Sequence, residues 1–295
     1  MSSSAAPLID YLRELEGRGE KYVNVDDEAR KILREFYMRA RGGSAGSGDH
    51  SQAKVNQAKP EVGSGAGASK TTDELGQQKP ATNDTLLVSG SSAKEQIASL
   101  KRQVAKWPAI SALTDLRKTM VFSVGHPNAD IMLIGEAPGY DEERLGEPFV
   151  GKAGQKLDGI LKAMGVERKD TYITNILKYR PAMPNQTTNN RQPTSEELKA
   201  FMPFVHKEIE IVAPKVIIAL GVTAAQALLA SDESVTSLRG KFHQFSGTPL
   251  RVSYHPSYIL QNEATTEKRK IWEDMLAVMD LLKMPVSEKQ RGFFT

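Results

Sequence analysis

Four short clusters carry residue types able to bind and transform a ligand: Gly135-Glu136-Ala137-Pro138-Gly139, Asn175, Gly221-Val222-Thr223 and His255-Pro256-Ser257. Together they offer a carboxylate, a carboxamide, a hydroxyl and an imidazole, beside glycine and proline that let the backbone turn tightly. Each is weak taken singly. A Gly-x-x-Pro-Gly run makes a turn, and a lone His-Pro-Ser or a lone asparagine does the same. Composition removes other chemistries. The chain has no cysteine, which excludes disulfides, a cysteine nucleophile, thiolate-bound zinc and a cysteine-held iron–sulfur cluster. Its five histidines do not fall at ligand spacings, so no metal site is expected. Gly151-Lys152-Ala153-Gly154 lacks the Gly-x4-Gly-Lys-[Ser/Thr] spacing of a phosphate loop, so nucleoside triphosphate binding is rejected.

The elements that must position these clusters are legible from periodicity. Short apolar runs at 131–134, 172–176, 216–220 and 250–254 suit buried strands. Amphipathic helices are predicted at 153–164, 195–213, 224–230 and 267–282. An earlier helix opens on a capping box, Ser92 with Glu95, and continues through Ile97, Leu100, Val104 and Trp107. Strands alternating with helices imply an α/β fold: a three-layer αβα domain with a central, mainly parallel four-stranded sheet. In such sheets ligands bind at the carboxyl ends of the strands. All four polar clusters follow strands, so they converge on that edge.

Three regions are expected: a helical hairpin at 5–41, a disordered linker at 42–90, and the α/β domain at 91–285. In the hairpin Leu8, Tyr11, Leu12 and Leu15 share one face, and Ala29, Leu33, Phe36 and Ala40 share another. Two such helices bury little by themselves, so the hairpin is expected to dock on the main domain or on a protein partner. The linker is rich in Gly, Ser, Ala, Lys, Gln and Thr and has too few large apolar residues to offset chain entropy. At 39% hydrophobic and 25% charged, the 295-residue chain is ordinary for a soluble protein. No apolar run is long enough to span a bilayer, and the N-terminus has no basic n-region, so a cytoplasmic monomer without membrane contact is expected. The net charge of +3 permits a nucleic-acid partner, with any basic surface being local.

Order and joint occurrence give the clusters meaning. The block Ile131-Met-Leu-Ile-Gly-Glu-Ala-Pro-Gly139, Glu142-Glu143, Gly146-x-Pro148-Phe149-Val150-Gly151-Lys-Ala153-Gly154-Gln155 resembles the bacterial and archaeal uracil-DNA glycosylases of family four. The resemblance continues through Tyr172-Ile-Thr-Asn175, Lys178-x-Arg180-Pro181, Ala213-Pro214, Leu220-Gly221, Leu238-Arg239-Gly240-Lys241 and His255-Pro256, covering about residues 121–282. It implies base-excision DNA repair: hydrolysis of the N-glycosidic bond of uracil in DNA, by base flipping and stabilisation of the uracil anion, without lyase activity. It also implies a cluster of four irons on four cysteines, two near 108–112, one at Tyr179 and one near Ala200. None is present, so no cofactor is expected and packing must fill that volume. Two further departures are a long loop at 181–193 without the histidine that a DNA-crosslinking relative carries there, and Gln261 where relatives often have arginine.

By the same resemblance, Phe149 stacks on the flipped uracil, Asn175 reads its donor–acceptor edge, and Gly135 and Ala137 line the base. His255 donates to the uracil oxygen that gains charge as the bond breaks. Glu136 is the carboxylate nearest to where the best-known relatives position water, a place taken here by Ala137. It either serves that role or opposes the cationic sugar, its alternative being a helix cap. Asp141, Glu142 and Glu143 read as solvated or helix-capping. DNA contact is expected from Ser257, Ile259 and Leu260 after the histidine, the last two as a wedge, and from Arg239 and Lys241 at phosphates. A non-catalytic DNA-binding or scaffold protein on the same fold is the alternative, and a small-molecule nucleoside hydrolase, which would lack wedge residues, is a third reading.

Overall fold

The computed structural model describes residues 86–295. The expected hairpin at 5–41 and nearly all of the expected linker lie outside the described residues. In chain order the elements are α1 (Ala93–Val104), α2 (Pro108–Ser111), β1 (Leu116–Met120), β2 (Ser123–Gly125), β3 (Ile131–Gly135), α3 (Tyr140–Leu145), α4 (Lys152–Met164), β4 (Tyr172–Asn175), β5 (Tyr179–Pro181), α5 (Ser195–Val212), β6 (Val216–Leu220), α6 (Val222–Leu229), α7 (Val235–Leu238), β7 (Phe242–Phe245), β8 (Thr248–Ser253), α8 (Ser257–Gln261), α9 (Thr265–Leu281) and α10 (Glu288–Arg291).

The main sheet has the order β2-β4-β3-β6-β8-β7. Its four inner strands are parallel, as expected from the four apolar runs. An antiparallel strand borders each side, β2 on β4 and β7 on β8, which makes six. A separate antiparallel pair, β1 with β5, brings Leu116 opposite Pro181. Every residue of β3, β4 and β6 is buried, as parallel strands covered on both faces require. Side chains alternate between two cores. Met132, Ile134, Ile217 and Ala219 pack toward α1, α5 and α6, whereas Leu133, Ile173, Ile218 and Leu220 pack toward α4 and α9.

Local signals set the helix ends. The Ser92–Glu95 capping box forms at α1, and Thr194 with Glu197 makes another at α5. Tight packing extends past the expected boundary at 285. Trp272 donates from Nε1 to Gln290 O at 2.6 Å, Gln290 Nε2 reaches Ala163 O at 2.9 Å, and Phe293 packs on Trp272. The C-terminal segment therefore caps α4 and α9. No helix among the described residues is long and apolar enough to cross a membrane.

Candidate active site

The carboxyl ends of β3, β4, β6 and β8 open into a cavity of about 350 Å³ whose wall includes Glu136, Phe149, Asn175, Gly221 and His255. The expected convergence of the four clusters is what the fold delivers, because parallel register sets Gly135 beside Asn175. Gly135 leaves room for the others: a Cβ there would overlap the Phe149 ring and the Asn175 amide. Phe149 sits at φ 55, a left-handed conformation costly for an aromatic residue. Gly154 lies so close under its backbone that a Cβ would collide with Phe149 O.

Glu142 holds this conformation. Its Oε1 accepts from Val150 N at 3.0 Å and Gly151 N at 2.9 Å, and its Oε2 accepts from Gly139 N at 3.1 Å. A carboxylate with oxygens to spare suits three amide donors. Sequence reasoning placed Glu142 in solvent or on a helix cap; its bond to Gly139 N is that cap at α3, and the bonds to Val150 and Gly151 were not foreseen. The clamp joins two loops, and its signal was only the three-residue spacing from Gly139. Glu143 is likewise engaged, by Arg117 and Arg180 at 2.9 Å each.

Asn175 is buried, and its side-chain amide makes no hydrogen bond to any described residue. Its backbone oxygen accepts from Lys178 Nζ at 2.8 Å, and that ammonium also reaches Thr174 Oγ1 at 2.6 Å and Glu208 Oε2 at 2.5 Å. Tyr172 donates to Glu208 Oε1 at 2.8 Å. This fully buried network fixes the strand end that carries Asn175 while leaving the amide free toward the cavity.

His255 faces Phe149 with ring centroids 5.6 Å apart. Its Nδ1 accepts from the Ser257 backbone N–H at 3.2 Å and lies 2.8 Å from Ser257 Oγ. A backbone N–H can only donate, so Nδ1 is the acceptor and the ring proton resides on Nε2. Burial lowers the imidazole to about 4, opposed by the charge of Glu142, so the ring is neutral at pH 7. Gly221, at φ 93, lets the β6 end approach the His255 Cβ. Glu136 lines the same cavity and accepts from the Thr223 hydroxyl. Burial raises its carboxyl above the ordinary value, against the Thr223 bond, which lowers it. Thr223 stood in a cluster picked out from the sequence but had no role assigned.

The expected DNA-contact residues divide. Leu260 is 37% exposed, and Lys241 is exposed. Ile259 is 7% exposed and belongs to the packing of α8, so it is not free to act as a wedge. Arg239 is committed elsewhere: it donates to Asp274 Oδ2 at 2.6 Å and to Lys270 O, with its guanidinium 4.5 Å over the Tyr254 ring. Paired with a buried carboxylate, it braces α9 against the Tyr254 strand end rather than reaching for phosphate. Ser257, expected on DNA, serves His255. The 181–193 loop adds Asn190 and Arg191 to the cavity wall, which the sequence did not signal.

The positions where the resemblance implies iron–sulfur cysteines hold an apolar cluster. Tyr179 packs on Phe201 with centroids 6.1 Å apart, Trp107 meets Phe204 edge-on at 5.4 Å, and Ile110 and Ala200 are buried beside them. These residues offer no thiolate and fill the space, so they do not fit a cluster.

The family model described as Uracil DNA glycosylase superfamily matches residues 122–276. The Type-4 uracil-DNA glycosylase of Thermotoga maritima is 37% identical over 169 residues, covering 57% of this chain and 85% of that protein. The Type-4 uracil-DNA glycosylase of Pyrobaculum aerophilum is 38% identical over 156 residues, covering 50% of this chain and 76% of that protein. A Type-4 uracil-DNA glycosylase of Archaeoglobus fulgidus is 38% identical over 165 residues, covering 52% and 80%.

Proposed function

The chain belongs to the uracil DNA glycosylase superfamily, and on that premise we propose that it is a monofunctional DNA-repair glycosylase that flips uracil from DNA and hydrolyses its N-glycosidic bond. His255 carries this reading. Its Nδ1 is occupied by Ser257, so a neutral imidazole presents Nε2–H from the wall of the cavity that holds Phe149 and Asn175. A neutral donor suits a uracil oxygen that becomes anionic as the bond breaks, because the bond strengthens with the developing charge.

The geometry supports the other roles. Phe149, locked by Glu142 and Gly154, stacks on the flipped ring. The free Asn175 amide pairs with the uracil edge, one acceptor and one donor against one donor and one acceptor; cytosine presents the reversed pattern. Ala137 supplies no acid, so Glu136, raised by burial and held by Thr223, is the carboxylate that faces the cationic sugar and accepts from the attacking water. Among the described residues lining the cavity there is no lysine, which fits hydrolysis by water without an amine–sugar adduct. No cofactor enters any step.

Purified protein incubated with an oligonucleotide containing one uracil, then treated to cleave abasic sites, should yield strand breaks. No break from either single- or double-stranded substrate would sink the enzymatic reading and leave DNA binding on the same fold. His255→Ala should lower turnover by about 10²–10³-fold, the usual cost of one transition-state donor, with DNA affinity retained. Equal losses in both would refute the leaving-group role.

A further inference from the structure

Glu136 is anchored from the two strands that flank its own. Its backbone oxygen accepts from Leu177 N at 3.1 Å, and Gly135 O accepts from Ile176 N at 2.9 Å, so the turn after β4 holds the main chain. The side chain is held from the β6 side. Its Oε2 accepts from the hydroxyl of Thr223, the second residue of α6. Gly221, at φ 93, turns the chain sharply out of β6 and brings this hydroxyl to a carboxylate 87 residues away in sequence.

This bond divides the two carboxylate oxygens. Glu136 lines the cavity and Thr223 does not, so the hydroxyl holds the carboxylate from behind. Oε1 makes no hydrogen bond to a described residue, and it is left as an acceptor in the wall that also carries Asn175 and His255. A carboxylate without a partner would turn among several side-chain rotamers; one fixed oxygen removes that freedom and orients the other. No lysine or arginine among the described residues pairs with Glu136 to do this instead. The other ionisable groups of the wall are taken up or uncharged. Glu142 of α3 is bound by three amides, Arg191 of the 181–193 loop by Glu197 and backbone carbonyls, and His255, after β8, is neutral at pH 7.

We propose that Thr223 is a positioning residue for the reaction, its hydroxyl fixing Glu136 so that the second carboxylate oxygen is aimed at the attacking water. The proposal rests on the uracil-excision reading above, in which Glu136 is that acceptor, and adds the group on which the acceptor depends. The same bond opposes the burial that raises the Glu136 carboxyl. Without it the carboxylate takes up its proton at a higher pH, and a protonated carboxyl no longer serves as a base.

Thr223→Val keeps the shape and removes the donor, whereas Thr223→Ser keeps the donor. In Thr223→Val, kcat at pH 7 on uracil-containing DNA should fall by about tenfold or more, as expected for losing a hydrogen bond to a charged group, with KM near wild type. Thr223→Ser should recover most of the rate. The acid limb of kcat should move to higher pH in Thr223→Val, so its deficit widens as pH falls; a packing defect alone would lower the rate evenly at every pH. In a Glu136→Gln background Thr223→Val should bring little further loss, because the two residues act as one unit. An acid limb that stays in place in Thr223→Val, or a Thr223→Ser as slow as Thr223→Val, overturns the proposal. A wild-type rate in Glu136→Gln overturns it as well, by removing Glu136 from the reaction. If wild-type protein does not excise uracil at all, the glycosylase reading fails. The Glu136 carboxyl midpoint, followed by carbon NMR, then still decides Thr223: a higher midpoint in Thr223→Val upholds its hold on Glu136, and an unchanged one refutes it.

Discussion

His255 shows how a single side chain is tuned by its surroundings. Its folded value of about 4 lies below the ordinary 6.5 because burial penalises the imidazolium more than Glu142 favours it. Between those values the unfolded chain binds more protons than the folded one, so stability falls as pH drops from about 6.5 toward 4. The full difference is roughly 3 kcal/mol at 1.36 kcal/mol per unit. A histidine NMR titration should place the His255 midpoint near 4, and a midpoint near 6.5 would show that burial does not disfavour the imidazolium. Excision should correspondingly show no acid limb from His255 at 6.5. Glu142 is the second decisive residue. In Glu142→Gln, one of the carboxylate oxygens that now accept from Gly139, Val150 and Gly151 becomes a donor facing a donor. The loss is about 1.5–3 kcal/mol, and it should appear as a lower melting temperature together with a higher KM, because Phe149 loses its brace. An unchanged KM would mean that Phe149 holds its conformation without the clamp.

Among the elements, the proposed catalytic groups sit on strand ends and the turns that follow, so the rigidity of the sheet passes directly to them. The turn from Gly146 to Gly154 depends on backbone closeness: Gly154→Ala would push a methyl into Phe149 O, costing about 1–3 kcal/mol as overpacking does. Differential scanning should show that loss together with reduced excision. The helix after His255 separates two leucine-sized residues by burial alone. Ile259→Ala should destabilise the fold by about 2–5 kcal/mol as a core truncation. Leu260→Ala should leave stability within about 0.5 kcal/mol and slow excision from duplex more than from single strands, since only the duplex must be opened. Equal slowing on both substrates would remove the wedge role. Sequence patterning found the four inner strands because β3 and β6 are continuous apolar runs and β4 and β8 carry β-branched and aromatic residues just before turn signals. It did not find β1, β2, β5 and β7. These are three to five residues long; β1, β2 and β7 are largely polar or half-exposed, and β5 is a three-residue strand whose centre is the buried Arg180, and edge strands have one face and one rim to leave in water.

For the whole domain, two kinds of packing brace the region where the family resemblance implies a metal cluster. An apolar cluster of Trp107, Ile110, Tyr179, Phe201 and Phe204 fills one side, and the buried Lys178–Glu208 pair crosses from the Asn175 turn to α5. Removing one partner of such a pair leaves an unpaired buried charge and costs about 3–5 kcal/mol. Metal chelators should therefore change neither the melting temperature nor uracil excision, and a loss of either on chelation would contradict a cluster-free fold. The C-terminal segment is the other whole-domain feature. Through Trp272, Gln290 and Phe293 it closes the α4–α9 face, which sequence reading ended at 285 because the helical periodicity stops there.

The family, the parallel α/β layout and the edge on which the site lies were all legible in the linear chain, because buried strands and their flanking turns are local patterns. Asn175 and His255 stand at strand ends that their neighbours announce, whereas Phe149 was singled out by the family resemblance. Burial and hydrogen-bond partners are not local, and they were settled by the three-dimensional packing alone. Packing committed Arg239, expected at a phosphate, to Asp274, sank Ile259 while leaving Leu260 exposed, extended Glu142 from the helix cap that its spacing signals to a clamp beneath Phe149, and brought Asn190 to the cavity mouth through Arg180. In each case the competing partner lies far along the chain or beneath a packed surface, and a charged or apolar side chain takes whichever partner the fold sets beside it.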